Sequence, residues 1–408
     1  MRQITTANNK INLGKARRNP GTVDKLYQDI AQGQNLEGHL NLLPDHQSIR
    51  FNLYLVRIYL STSKNPPLVL RNWYTYSVGC GEDPFSVLDI RKLSKMGLEL
   101  TNLHILLTYK CPLRCDHCFV FGDQHASDRF AFNQIKAILE ESRRIGSVEW
   151  VYFEGGEPFL LFPLLLKSVH RARQLGFKVG VVTNGFFARS EEAAVRYLRP
   201  LQQLGVARLC VSDDLFHYKS LKETPAKRAL SAASQLGLPV SRVSITLPGS
   251  ARFGFTEPAD STPHTTLRVM FSGRAVDKLV PGLSTSGEAS FNQCPHAYFV
   301  EPGTAFIDPY GFVQLCHGIA FGNAWETPLS ALISQSEADS HPIWGPLMQG
   351  GPAELCQVHG IQQTGEYADA CHLCYTARRA LIDRFPQYLA PRHVYGLSRV
   401  NKFSRRSP

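Results

Sequence analysis

Residues 103–118 of this 408-residue chain read LHILLTYKCPLRCDHC. Seven mostly apolar residues, too few for a helix, are typical of a buried strand. They run directly into a loop that carries Cys111, Cys115 and Cys118. In parallel α/β sheets the functional groups gather at the carboxyl ends of the strands, so this loop is a candidate site.

The rest of the central region repeats the same plan. Predicted strands are residues 103–109, 148–153, 178–183, 208–212 and 240–247, and amphipathic helical segments separate them. Two of the helices are predicted to begin at Ser190 and at Thr224-Pro225. A Gln-Leu-Gly triplet ends three of them, at 174–176, 203–205 and 235–237, with a period of roughly 30 residues, the size of one βα unit.

Residues 100–275 therefore hold five or six right-handed βα units, which are too few for a closed eight-stranded barrel. The sequence predicts an α/β fold with a partial (βα)6 TIM-like barrel. Every motif discussed below follows one of its strands or lies in a smaller cysteine-rich α+β extension at the C-terminus.

Three thiols within eight residues can wrap one metal centre, because a loop can bend to aim them together. A structural zinc site is normally completed by a fourth Cys or His, and His117 is poorly placed for this because it lies between two ligands on the same turn. The missing ligand indicates a position open to a substrate or cofactor. A zinc loop or a chance cluster is the alternative.

The C-x3-C-x2-C spacing, with His117 before the last cysteine, resembles the signature of the radical S-adenosylmethionine (SAM) superfamily. The resemblance implies that Cys111, Cys115 and Cys118 hold three irons of a [4Fe–4S] cluster and leave the fourth open for SAM. It also implies an activity in which SAM is cleaved reductively and a 5′-deoxyadenosyl radical abstracts a substrate hydrogen. His117 would then belong to the cofactor site.

Companion motifs follow the next three strands. Gly155-Gly156-Glu157-Pro158 matches the family segment that holds the SAM amino group: the glycines permit close approach, main-chain carbonyls accept from an ammonium, and the carboxylate adds charge. A plain Gly-Pro turn is the alternative. The resemblance suggests that Thr183, Asn184, Ser212 and Asp213 line the SAM ribose and carboxylate.

Two further features are weaker. His217 is either another site residue or simply a residue at a helix start. Residues 271–275, FSGRA, look like a segment that often follows the barrel in family members with a cysteine-rich extension.

Four later cysteines form a second candidate site. Cys316 leaves a predicted β-hairpin of residues 304–307 and 312–315, and Cys371 and Cys374 open a helix. With Cys294 they are similar to the SPASM or Twitch extension of radical SAM maturases, which implies one auxiliary [4Fe–4S] cluster. Zinc would suit four cysteines equally well, and whether Cys356 is a ligand stays open.

We expect a barrel at residues 96–280, the extension at 281–385 and a basic tail at 386–408. Residues 1–95 show no sustained period. They are either a small accessory domain around the apolar residues 51–60 or, if translation begins at Met96, not part of the protein. Cys80 in this segment and Cys210 in the fourth strand are not expected to be ligands.

Charge and composition narrow the class of protein. The net charge is +10, but residues 1–95 hold 13 Lys and Arg against 7 Asp and Glu and so supply more than half of it. That distribution argues against a nucleic-acid-binding face on the barrel. We expect no signal peptide and no membrane span, so the sequence predicts a cytoplasmic protein. Ten cysteines in such a chain are not expected to form disulfides, and the clustered ones are better explained as metal ligands.

Family members with such extensions often modify peptides, so the sequence predicts a peptide or protein maturase of the ribosomal-peptide or sulfatase type. A radical SAM enzyme acting on a small molecule or cofactor precursor is one alternative. An iron–sulfur or zinc regulator that binds nucleic acid is the alternative of another class. No flavin or nicotinamide fingerprint is present, so a flavodoxin or ferredoxin is the expected electron donor.

Overall fold

Short apolar runs form the strands of a mostly parallel sheet in the computed structural model. Its first six strands are β1 (Asn102–Leu106), β2 (Trp150–Glu154), β3 (Lys178–Thr183), β4 (Arg208–Ser212), β5 (Val240–Thr246) and β6 (His264–Arg268). They lie side by side in chain order, and each neighbouring pair is parallel. The predicted α/β class with a partial six-stranded barrel is confirmed.

The structure describes residues 100–246, 263–295, 303–336, 340–361 and 365–397. All of them belong to one unit that spans residues 91–408. The predicted segment 1–95 and the last part of the basic tail lie outside the described residues. The predicted domain boundaries therefore stay predictions.

Four helices connect β1 to β5 within the described residues: α1 (Phe132–Ile145), α2 (Phe162–Gln174), α3 (Glu191–Gln203) and α4 (Pro225–Gln235). The predicted starts are confirmed, because Ser190 Oγ accepts from the Ala193 amide and Thr224 Oγ1 accepts from the Lys227 amide. The glycines of the three Gln-Leu-Gly triplets all have φ between 66° and 91°. They stop each helix in a left-handed conformation just before the next strand.

The main core lies between the sheet and these helices. Alternate strand residues point to the helix side, and the strand members Leu103, Ile105, Val151 and Phe153 are fully buried there. The helices contribute residues spaced one turn apart, such as Ile135, Ile138 and Leu139 of α1. This packing fixes the strand ends, which carry the candidate site.

The C-terminal region adds three strands to the same sheet: β8 (Thr304–Ile307), β9 (Phe312–Cys316) and β10 (Ile319–Asn323). The predicted hairpin is present as the antiparallel pair β8 and β9. β8 also pairs in parallel with β1, on the side opposite β2. The hairpin therefore continues the barrel sheet and does not form a sheet of its own.

Further helices and strands lie between and after these strands in the chain. They are α5 (Arg274–Leu279), β7 (Ser286–Gly287), α6 (Leu329–Gln335), α7 (Trp344–His359), β11 (Glu366–Tyr367) and α8 (Ala370–Leu381). β7 and β11 form a separate two-stranded antiparallel sheet, and α7 is broken at Gly350 and Gly351. Within the described part of the chain, no helix combines the length and apolarity needed to cross a membrane.

Candidate active site at the carboxyl ends of the strands

The cysteine loop follows β1 after three buried residues and the exposed Lys110. The first of these, Leu107, donates its amide to the carbonyl of Glu154 at 2.8 Å and so keeps the chain beside the end of β2. The Cys111 amide donates to the carbonyl of Asp123 at 2.9 Å. This bond closes residues 111–123 into one loop at the edge where the strands end.

All three cysteines of the first predicted site lie in this loop. Cys111 and Cys115 are each 8% exposed, and Cys118 is half-buried. Burial, followed by the charge on Cys118, raises the pKa of Cys115 to about 12. Burial also raises the pKa of Cys111, with smaller contributions from Glu157, Cys118 and Cys115. The three thiols are therefore close enough to repel one another as thiolates, and bound iron would remove that repulsion.

The set of donors fits an iron–sulfur cluster. Three soft thiols with an open fourth position suit such a cluster, which places a different iron against each thiolate. Among the described residues, no three His, Cys, Asp or Glu side chains are arranged to hold a single metal ion. The ligand roles of the three cysteines stay predictions.

Two N–H groups point at the sulfur atoms. The Gly122 amide donates to Cys118 Sγ at 3.3 Å, and Asn184 Nδ2 donates to Cys111 Sγ at 3.5 Å. Hydrogen bonds to ligating sulfur stabilise the thiolate and tune the potential of a cluster. Asn184 stands directly after β3, so a second strand end contacts the loop.

The Gly-Gly-Glu-Pro turn after β2 packs against the start of the cysteine loop. The Gly156 amide donates to the carbonyl of Thr108 at 2.7 Å, and the Glu157 amide donates to that of Lys110 at 2.9 Å. A Cβ on Gly156 would lie 2.3 Å from the Lys110 carbonyl oxygen, and one on Gly155 would lie equally close to that of Thr108. Both positions therefore require glycine, and the turn is adjacent to the cysteines, as the sequence predicts.

The carboxylate of Glu157 is fully buried and faces its own chain. It accepts hydrogen bonds from the Phe159 amide, from Thr183 Oγ1 at 2.8 Å and from the Asn184 amide at 2.9 Å. Burial raises its pKa to about 7, and these hydrogen bonds limit the rise. In this structure Glu157 ties the end of β2 to the end of β3. Its predicted pairing with the SAM ammonium stays a prediction.

The end of β4 carries the other predicted contacts. Ser212 is half-buried. Asp213 is 4% exposed and accepts from Thr224 Oγ1 at 2.9 Å, so it fixes the residue that caps α4. The ends of β1, β2, β3 and β4 thus lie along one edge of the sheet and carry all the residues predicted for the first site.

Residues 105–250 match the family model described as the radical SAM superfamily. The chain contains a radical SAM domain. The match begins inside β1 and includes the cysteine loop, the Gly-Gly-Glu-Pro turn and the ends of β3 and β4.

Two curated relatives are similar to this chain in part. The putative peptide biosynthesis protein YydG of Bacillus subtilis is 25% identical over 126 residues, which are 31% of this chain and 40% of that protein. A tungsten-containing aldehyde ferredoxin oxidoreductase cofactor-modifying protein of Pyrococcus furiosus is 30% identical over 117 residues, 28% of this chain and 30% of that protein. The matches span less than half the length of either relative.

Solved structures resemble this chain only weakly. The structure of Streptococcus suis SuiB bound to S-adenosylmethionine is 12% identical, covering 72% of this chain and 78% of that one, with a TM-score of 0.37. The architecture described above follows from the chain's own strand order and pairing.

A histidine pair lies beside the cysteine loop of the radical SAM domain. Asp214 accepts from Nδ1 of His217 at 2.8 Å and from the amides of His217, Phe216 and Ile245. The His217 ring lies 5.0 Å from that of His117. Burial lowers the pKa of His117 to about 4, so this ring is neutral at pH 7. His217 therefore lies beside the cysteine loop, and its role as a site residue stays a prediction.

The four C-terminal cysteines also lie together. Cys316 ends β9, whereas Cys371 and Cys374 lie in the first turns of α8. Burial raises the pKa of Cys371, and the charges on Cys316, Cys374 and Cys294 raise it as well. Cys356 in α7 is fully buried, and its pKa is raised by burial and then by Glu288 and Cys374. The four cysteines therefore influence one another electrostatically, as Cys356 does with Cys374, and their role as one ligand set stays a prediction.

An aromatic contact joins two residues that each follow a cysteine of one of the two sets. Phe119 follows Cys118, His317 follows Cys316, and the centroids of the two rings are 4.6 Å apart. The sequence could not pair these rings, because the contact requires β8 to lie against β1.

One residue that contacts the cysteine loop was not singled out from the sequence. Arg274 follows Gly273 in the FSGRA segment and reaches the loop with its side chain. The only sequence signal was that segment's likeness to a post-barrel segment of the family. The orientation of His217 by Asp214 was equally invisible, because it depends on how the chain turns after β4.

Proposed function

We propose that this chain is a radical SAM enzyme that modifies a peptide or protein. The proposal is carried by the contact of Asn184 and the Gly-Gly-Glu-Pro turn with a loop that holds three thiols. When bound, the cluster and SAM together supply a 5′-deoxyadenosyl radical that removes a hydrogen atom from the substrate.

The residues of the site have separate roles in this proposal. Cys111, Cys115 and Cys118 would hold the cluster. The main-chain carbonyls of the Gly155–Glu157 turn would accept hydrogen bonds from the SAM ammonium, since Gly156 brings the main chain close to the loop. Hydroxyl, amide and carboxylate groups at the next strand ends would hold the SAM ribose and carboxylate: Thr183, Asn184, Ser212 and Asp213.

We also propose that Cys294, Cys316, Cys371 and Cys374 hold one auxiliary [4Fe–4S] cluster. The support is their mutual electrostatic interaction in one buried region. A variant lacking Cys111, Cys115 and Cys118 tests this directly, because it should retain about four irons per chain after anaerobic reconstitution. Zinc without iron in that variant would contradict the auxiliary cluster.

A peptide is the preferred substrate class because the relative YydG is named as a putative peptide biosynthesis protein. A small molecule or cofactor precursor is the second candidate, and the Pyrococcus furiosus relative, named as a cofactor-modifying protein, favours it. The genes that adjoin this one discriminate between the two. A short precursor peptide encoded next to this chain would support the first.

The reducing electron has to come from another protein. We propose an acidic flavodoxin or ferredoxin, because the chain is cationic and such charges speed the encounter of redox partners. A cytoplasmic location suits two sites built from reduced thiols.

The test of the activity is anaerobic reconstitution with iron and sulfide, followed by SAM and dithionite, with 5′-deoxyadenosine as the measured product. The wild type should form it, and Cys115→Ala should not. Cys210→Ala is the matched control, because Cys210 lies in β4 away from the loop. Equal product from the wild type and Cys115→Ala would contradict the proposal.

The regulator hypothesis makes a different prediction for the same preparation. It requires tight binding of duplex DNA or RNA that falls steeply with salt, together with no SAM turnover. Observing that pattern would replace the enzymatic proposal.

A further inference from the structure

Arg274 is joined to the cysteine loop at three points. Its Nη1 donates to the carbonyl of Cys115 at 2.6 Å, and its Nη2 donates to that of Gly122 at 2.9 Å. Its own amide donates to the carbonyl of Cys118 at 3.0 Å. About 150 residues of sequence separate Arg274 from these partners. The contacts hold the loop at its middle, at its last cysteine and near its end.

The main chain before Arg274 touches the loop as well. Gly273 has a φ of +64°, and a Cβ there would lie 2.6 Å from both the Cys118 carbonyl oxygen and the Phe119 Cα. A side chain at this position would push α5 away from the loop. Gly273 therefore lets the arginine approach closely enough to reach two carbonyls.

The guanidinium of Arg274 is buried without a carboxylate. It is 4% exposed, and in the described part of the chain no Asp or Glu lies within ion-pair distance of it. Its Nε has no hydrogen-bond partner there either. Burying an uncompensated charge is costly, so a stable arrangement needs a negative group nearby.

The cysteine loop supplies that negative group once its thiols are ionised. Arg274 already acts in this direction, because its charge lowers the pKa of Cys115 against the larger effect of burial. Three thiolates with an iron–sulfur cluster carry net negative charge, and reduction of the cluster adds one more. A fixed cation next to the loop therefore favours the reduced state over the oxidised one.

We propose that Arg274 is a positioning residue of the radical SAM domain: it sets the shape of the three-cysteine loop and stabilises the reduced state of the cluster held there. This rests on the proposed function. It assigns to Arg274 both a geometric effect, through the Cys115 and Gly122 carbonyls, and an electrostatic effect, through its charge.

The test compares Arg274→Gln and Arg274→Lys with the matched control Arg228→Gln. Arg228 also donates from its Nε to a main-chain carbonyl, that of Ala188 at 2.8 Å, but belongs to α4. Each protein is reconstituted anaerobically. The reduced cluster is followed by electron paramagnetic resonance with and without SAM, and its midpoint potential is measured by redox titration.

Arg274→Gln should lose most of the SAM-responsive signal. In the cluster that remains, the ratio of reduced to oxidised form at a fixed potential should fall about tenfold, which for one electron is a midpoint shift of about 59 mV to more negative values. Arg274→Lys keeps the charge but loses the paired hydrogen bonds to the Cys115 and Gly122 carbonyls. It should therefore lose the SAM-responsive signal and keep the wild-type midpoint potential. Arg228→Gln should match the wild type in both.

Wild-type signal and potential in Arg274→Gln would overturn the inference. If Arg274→Gln fails to fold, Arg274→Lys decides. A full SAM-responsive signal in that variant would overturn the geometric part, and a midpoint potential about 59 mV more negative than that of the wild type would overturn the electrostatic part. A wild type with no SAM-responsive signal would instead contradict the proposed function, so the two failures are distinguishable.

Discussion

Asn184 donates from Nδ2 to Cys111 Sγ at 3.5 Å, although 73 residues separate the two along the chain. The same side chain accepts from the Phe186 amide through Oδ1, which orients its N–H groups toward the loop. The amide thus joins the end of β3 to the first cysteine after β1. The following predictions concern this contact and its neighbours.

Asn184→Asp should weaken cluster binding. The substitution keeps the acceptor for Phe186 but replaces the N–H donor with a negative oxygen beside a thiolate, at a cost of about 2 kcal/mol. Iron content after limited reconstitution and the rate of 5′-deoxyadenosine formation should both fall. Asn323→Asp is the control, since Asn323 in β10 also accepts from the amide two residues on but donates from Nδ2 to a main-chain carbonyl, that of Tyr310. An equal loss in both variants would contradict a specific role of the Asn184 donor.

Gly156→Ala should disrupt the site through the main chain. Its Cβ would lie 2.3 Å from the Lys110 carbonyl oxygen, so either the turn or the cysteine loop has to move. Overpacking of this kind costs about 1 to 3 kcal/mol, and SAM binding should be lost as well. Gly287→Ala is the control, because nothing lies within 4 Å of its Cβ position. Thermal unfolding and SAM affinity measure both effects, and unchanged SAM affinity would contradict the placement of the turn.

Glu157 predicts a pH dependence of stability in the metal-free protein. Its pKa is about 7 in the folded chain against an ordinary value of 4.5. A carboxyl raised in this way favours folding fully below pH 4.5 and loses that contribution as the pH rises through 7. The free energy of unfolding of the wild type should therefore fall by about 3 kcal/mol relative to Glu157→Gln across this window. The free energy is measured by urea unfolding across this pH range. The same dependence on pH in both proteins would contradict the prediction.

Asp214 predicts a stability effect at the end of β4. Asp214→Asn leaves one of its four hydrogen-bond donors without an acceptor and should cost about 1 to 3 kcal/mol, measured by urea unfolding. Asp277→Asn should cost almost nothing, since Asp277 is about half exposed and its nearest cation, Arg379, is 4.0 Å away. Similar losses in both variants would show that the Asp214 contacts contribute little.

The parallel strands and their helices were predictable because each uses a short, clear pattern. The Gln-Leu-Gly triplets mark helix ends, and the first strand runs into a loop whose cysteine spacing is specific. The residues of the first site could be named because they all follow strands, and parallel strands bring their carboxyl ends to one edge.

Contacts that depend on distant segments could not be predicted. Nothing in residues 304–307 indicates that this strand pairs with β1 and so brings His317 to Phe119. Arg274 reaches its carbonyl partners only because Gly273 allows a left-handed turn against the loop. The carboxylate of Glu157 accepts from Thr183 and Asn184 at the end of β3, contacts that the Gly-Gly-Glu-Pro motif alone does not reveal.

The central claim is that the loop of Cys111, Cys115 and Cys118 holds a [4Fe–4S] cluster with one iron open to SAM. The most direct measurement is Mössbauer spectroscopy of protein reconstituted with iron-57, in a Cys371→Ala, Cys374→Ala background that removes the second site. We predict about four irons per chain, one of which changes its signal when SAM is added. Four irons whose signals all stay unchanged when SAM is added, or zinc in place of iron, would contradict the account.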